Sequence, residues 1–74
     1  MRYKGYTAIF EADEEDGVLH GRVADIRDVV TFESETLEGL EREFRTSVDV
    51  YLDWCAERGK EPNRPQVELR RAVG

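Results

Sequence analysis

Residues 36–59 read TLEGLEREFRTSVDVYLDWCAERG, and their spacing decides the fold. Leu37, Leu40, Phe44, Val48, Tyr51, Leu52 and Cys55 recur every three or four positions, which draws one apolar stripe down an α-helix. Thr36 supplies a hydroxyl N-cap ahead of it. Glu38 with Arg42, and Glu41 with Arg45, are i,i+4 pairs with the acid N-terminal, and they mark the outward side. Arg58 and Gly59 give a basic last turn and a glycine past the end, and Pro62 and Pro65 prevent a return to helix. A long amphipathic helix ending near Arg58 needs an apolar surface to lie on.

The residues before it supply one. From Tyr3 to Ala12 the chain alternates, with Tyr6, Ala8 and Phe10 on one side and Thr7, Ile9 and Glu11 on the other, which predicts a strand. Asp13, Glu14, Glu15, Asp16 and Gly17 hold no apolar side chain, and Asp-Gly is a strong turn signal, so a hairpin follows. Val18–Ala24 is the returning strand, with Gly21 marking a bulge or a close backbone approach. Asp25–Asp28 turns the chain again, and Val29–Ser34 is a β-branched, aromatic third strand. Beyond Pro65, residues 66–70 alternate again and suit a short strand at a sheet edge or a tail. The expectation is an α+β domain over residues 1–65: a three-stranded antiparallel meander packed by one long helix, with a possible fourth strand within 66–74, in the order β-β-β-α-β. One helix covers one side of such a sheet, so Ile9, Val18, Val30 and Phe32 or their alternates are expected to stay partly exposed on the other and to be covered by a second copy or a partner.

Composition narrows the function. Seventy-four residues hold 11 Lys and Arg against 17 Asp and Glu, a net charge of −6. Nucleic-acid binding rests on Lys and Arg neutralising phosphates, so this balance disfavours it and favours a basic partner. One cysteine neither staples the chain nor builds a zinc site. No apolar leader and no spanning run is present in the sequence, which predicts a soluble, cytoplasmic protein with no membrane contact.

Asp13, Glu14, Glu15 and Asp16 form the densest polar feature. An EF-hand needs oxygen ligands at alternate positions over a longer loop, so four adjacent acids entering a turn read as a solvated hairpin tip or as an acidic contact loop, without a bound metal. His20 and Cys55 are single, and nothing in the spacing brings them together with a third orienting group for nucleophilic catalysis. Carboxylates at turns and on an outward helix side have no burial to raise their pKa for general acid/base work. The glycines lack the spacing of a phosphate loop. Trp54 falls beside the apolar stripe, at the core edge or a dimer seam. No catalytic residue and no cofactor is expected.

The string DEEDGVLHGRV, IRDVVTFES and LEREFRTSVDVYLDWCAERGKEP, spanning roughly Tyr3 to Pro65, resembles the HicB family of type II antitoxins. The resemblance implies a partial RNase H-like fold without nuclease activity, and a domain that masks a small basic RNA-cleaving toxin of the HicA type. Complementary charge speeds encounter with such a basic partner, so the hairpin acids Asp13, Glu14, Glu15 and Asp16 are expected at or near the toxin surface, with Arg22, Asp25 and Asp28 as secondary candidates from the neighbouring strand and turn. Many members of that family continue into a DNA-binding module, which the nine residues after Pro65 are too short to form. A stand-alone inhibitor domain and a piece of a longer chain are both compatible with that ending. The competing readings are a homodimeric interaction domain of the same fold and a metal-dependent nuclease with convergent carboxylates.

Overall fold

The computed structural model describes residues 1–63. Strands β1 (Arg2–Tyr3), β2 (Tyr6–Asp13), β3 (Val18–Val23) and β4 (Thr31–Ser34) precede helix α1 (Leu37–Glu57). They form one antiparallel sheet in the order β1-β2-β3-β4. This is an α+β fold, with the elements in the order β-β-β-β-α. The extra strand comes from the N-terminus: the alternating run from Tyr3 is broken at Lys4 (φ 51°) and Gly5 (φ 85°). Positive φ at both central residues is the signature of a tight two-residue hairpin, and it folds Tyr3 back onto Tyr6. Residues 66–70, the expected C-terminal strand, lie outside the described residues.

Register places the side chains on two faces. Tyr6, Ala8 and Phe10 on β2, Leu19, Gly21 and Val23 on β3, and Phe32 on β4 point to one side. Helix α1 packs there, chiefly on β4 and β3. Tyr6, Ala8, Val23, Phe32, Leu40, Phe44, Val48, Tyr51 and Cys55 form the core. The close approach expected at Gly21 is real: a Cβ there would sit 2.4 Å from Cε2 of Phe32, whose ring lies 5.5 Å from that of Phe44. Gly21 is the space that Phe32 fills.

The helix ends as its sequence requires. Thr36 Oγ1 accepts the amide N–H of Gly39 at 3.0 Å. At the other end Gly59 adopts φ 65°, its N–H reaches Ala56 O, and the Lys60 N–H reaches Cys55 O, which is the Schellman arrangement. Leu37 departs from the predicted stripe and is 56% exposed, because the first helical residue faces outward before the first full turn meets the sheet.

The uncovered side of the sheet differs from expectation. Phe32 is buried beneath the helix, and Val30, which accepts the Val23 N–H, packs against the core. The open side instead carries Thr7, Ile9, Glu11, His20, Arg22, Thr31 and Glu33, with Val18 near its hairpin end. It is a charged face with Ile9, 42% exposed, as its main apolar group. Phe10, 44% exposed, lies on the helix side, towards the hairpin end of β2.

Candidate functional site

The acidic hairpin is built by its own side chains. Asp13 pairs with Val18 to close the β2–β3 ladder, and the Gly17 N–H returns to Asp13 O at 2.9 Å. Asp13 Oδ1 accepts the Glu15 N–H and Asp16 Oδ1 accepts the Val18 N–H, each at 2.9 Å. Short acids capture turn amides that the sheet leaves unpaired, which is why Asp occupies these two positions. Glu14 and Glu15 project into solvent beside them, and all four acids are exposed.

His20 links this tip to the open face. Its Nδ1 lies 3.3 Å from Oε2 of Glu33, and its Nε2 lies 3.7 Å from Oδ2 of Asp16. Among the described residues, Asp13, Asp16 and His20 offer ligand atoms within 4.8 Å of one another. They are the residues that could bracket a cation. Three protein atoms fall short of a four- to eight-ligand shell, so solvent would complete it.

Two cross-strand rows shape the open face. Glu11, His20 and Glu33 face one another across β2, β3 and β4, and Ile9, Arg22 and Thr31 form the next row. Between them runs a shallow solvent-open concavity of about 800 Å³, floored by the backbone of Phe10, Gly21 and Phe32. The two rows stand roughly 7 Å apart, two residues along each strand. Arg22, predicted as a partner contact, therefore sits in the wall of the concavity.

Asp25 and Asp28 lie elsewhere. They occupy the β3–β4 connection, and the six residues of β3 place roughly 20 Å between them and the hairpin tip. The seven candidate residues thus fall into two groups rather than one patch. Asp25 adopts φ 61°, a left-handed conformation that Asp tolerates better than most residues. Asp28 is committed to the fold: its Oδ2 accepts the Tyr51 hydroxyl and Lys60 Nζ, each at 2.7 Å. Lys60 first, and Tyr51 second, hold the Asp28 carboxyl below its usual range.

Around that carboxylate is a clasp that sequence reading missed. The Tyr51 hydroxyl also accepts the Asn63 N–H at 2.8 Å, and Asn63 Oδ1 accepts the N–H groups of Arg27 and Asp28 at 3.0 Å. Tyr6 donates its hydroxyl to Asn63 O at 2.7 Å. The segment after the helix is thereby tied to the β3–β4 loop and to β2. Burial, reinforced by the Asp28 carboxylate, raises the Tyr51 hydroxyl well above an ordinary tyrosine. A second tie joins the first hairpin to the helix: Lys4 Nζ lies 2.8 Å from Asp49 Oδ1, and the Tyr3 hydroxyl lies 3.1 Å from both Asp49 oxygens. The hydrogen bond from Lys4 lowers the Asp49 carboxyl and raises the Lys4 ammonium.

His20 and Cys55 do not meet. Cys55 is fully buried in the helix side of the core, and His20 projects from the opposite face of the sheet. Trp54 lies outside the core, 41% exposed, with Arg58 and Lys60 over its ring at 4.5 and 5.0 Å. Among the described residues no helix is long and apolar enough to cross a membrane.

The site is thus a charged concave sheet face that continues into an acidic hairpin, on a small helix-backed α+β unit. A scan of family models, and searches of curated proteins and of solved structures, found no match to the chain.

Proposed function

We propose that the chain is an antitoxin-like binding module that neutralises a small basic mRNA-cleaving toxin of the HicA type by covering its surface. The observation that carries this reading is the continuity of the open face with the hairpin: Glu11, Glu33, Asp13 and Asp16 gather around a single histidine beside the concavity. Carboxylates so arranged attract a basic protein over a distance and hasten its docking, while contact area sets how long it stays. The sequence supports the same reading through its net charge of −6 and through its resemblance to HicB antitoxins. The module acts as a cytoplasmic inhibitor, not as an enzyme, and needs no cofactor.

The test is stoichiometric inhibition. Titrated against a purified HicA-type toxin, the chain should abolish RNA cleavage at one equivalent per toxin and elute with it from a sizing column. Undiminished cleavage at excess would overturn the proposal. A second reading, a homodimeric interaction domain, is favoured by Val50 and Trp54, which stand one helical turn apart on α1 at 61% and 41% exposure. Sedimentation of the chain alone, with and without Val50→Glu, distinguishes the two. A dimer lost in that variant places self-association on the helix, whereas an unchanged monomer removes this reading.

A further inference from the structure

We propose that two copies of the chain pair through the outer edge of β4, Thr31 against Thr31, to form one continuous sheet backed by two helices. The inference rests on the self-association reading above and deepens it by naming the surface; it does not depend on the toxin. Backbone direction supplies the first argument. The Val23 N–H reaches Val30 O at 3.0 Å, so Val30, and with it Phe32 and Ser34, turns its peptide groups towards β3. Thr31 and Glu33 alternate with them and turn N–H and C=O away from the sheet. Among the described residues no strand lies beyond β4, and Val29, where the chain enters it, is 87% exposed. An unpaired edge of this kind is a template for a further strand.

The sequence of that edge is matched to itself. With Thr31 opposite Thr31 across a two-fold axis, antiparallel pairing sets Val30 opposite Phe32 of the second copy, and Val29 opposite its Glu33. Threonine pairs and pairs of a β-branched with an aromatic residue are favourable cross-strand neighbours, and no like charges are set opposite each other. Val30 and Phe32 both pack in the core beneath the helix, so their pairing joins the two cores. The other edge of the sheet fails the same test. Met1 O accepts the Ala8 N–H at 2.9 Å, so the first hairpin covers β2 as far as Ala8. Beyond it Phe10 and Ala12 face outward, and a two-fold axis clear of Met1 sets Glu11 against Glu11 or against Asp13. With a net charge of −6 on each copy, that contact is repulsive.

The helix supplies a second, independent argument. Arg45 lies over the Tyr3 ring, and Asp49 accepts from Tyr3 and Lys4, so this flank of α1 faces the first hairpin. At about 100° per residue, Val50 and Trp54 fall on the other flank, towards β4. Lys60 confirms the direction: it lies over the Trp54 ring and bonds Asp28 in the β3–β4 connection. Helix α1 packs chiefly on β4 and β3. Strands stand about 4.8 Å apart, so a helix above the middle of that pair lies about 5 Å from the axis and about 10 Å from its copy, an ordinary spacing for packed helices. The exposed Val50 and Trp54 line the seam that closes between them. The same pairing leaves the acidic hairpin of each copy uncovered, at opposite ends of the joined sheet.

The experiment is sedimentation of the full chain across a dilution series, with amide hydrogen exchange read by NMR on the same samples. A dimer that dissociates on dilution is expected, with the Thr31 and Glu33 amides protected while it persists and exchanging freely once it falls apart. Thr31→Lys keeps the strand and faces two ammonium groups across the axis; it should raise the dissociation constant about fivefold. Thr31→Pro removes an N–H that the single copy does not use and should raise it by more than about tenfold, because each copy loses one hydrogen bond. Ala12→Lys, on the opposite edge, should not weaken the dimer. A dimer indifferent to both Thr31 variants overturns the edge pairing and leaves self-association standing. A chain that stays monomeric at about 1 mM overturns both. Thr31 and Glu33 amides protected in a monomer assign the edge to the chain's own residues and overturn the pairing.

Discussion

The two sides of β3 carry opposite obligations. Leu19, Gly21 and Val23 point under the helix, where Gly21 is dictated by the Phe32 ring that fills its place. Val18, His20 and Arg22 point the other way, and on that side the fold asks for little beyond strand-compatible residues. The two ends of β3 differ in the same manner. At the hairpin, Glu14 and Glu15 face water, while Asp13 and Asp16 bond their own turn. At the far end Asp28 holds Tyr51 and Lys60 and so anchors the helix and the segment after it. Acidic residues here serve either as structural ties or as charge presented outward, and sequence alone does not sort them.

Breaking the covered side should give the largest effects. Phe44→Ala removes the ring between Phe32 and Tyr3 and should cost about 3–5 kcal/mol, enough to leave so small a domain largely unfolded in a denaturant titration. Tyr51→Phe keeps the ring and deletes the hydroxyl that joins Asp28 to Asn63. A loss of about 2 kcal/mol is expected, since one of its bonds goes to a carboxylate. Gly21→Ala drives a methyl into Phe32 and should cost about 1–3 kcal/mol by overpacking. Glu11→Gln or Glu33→Gln on the open face should change stability by less than about 0.5 kcal/mol.

Acid titration sharpens the contrast between the two kinds of carboxylate. The folded-state pKa values of Asp28 and Asp49 lie below the ordinary 3.8. The stability they contribute is complete above that value and is lost as pH falls below it through the folded-state pKa values. A melting series from pH 6 to 2 should show a fall in this window. In Asp28→Asn that acid-induced fall should be shallower, with a lower melting temperature at neutral pH.

The helix, the acidic hairpin and the antiparallel meander were legible because each rests on local signals: a period of 3.6, an Asp-Gly turn, and alternation. The Lys4-Gly5 turn was not, because the period-two pattern continues through it and only the positive φ values reveal the break. Nothing in VVTFES states whether Phe32 or its alternates meet the helix; the register with Gly21 puts Phe32 beneath it. The clasp was invisible for a different reason. Tyr6, Asp28, Tyr51 and Asn63 are dispersed along the chain, and their hydrogen bonds exist only once sheet and helix have docked. Of the candidate site, the hairpin acids and Arg22 were readable as exposed charge, whereas the row that joins Glu11 and Glu33 through His20 needed the register.

Whether the open face and its acidic hairpin meet a basic partner is read out by amide shift mapping of the full chain titrated with a HicA-type toxin. Glu11, His20, Arg22, Thr31 and Glu33 should move together with the hairpin residues Asp13–Asp16, and RNA cleavage should stop at equimolar ratio. Shifts confined to the outer side of α1 around Val50 and Trp54, with cleavage undiminished, would contradict it.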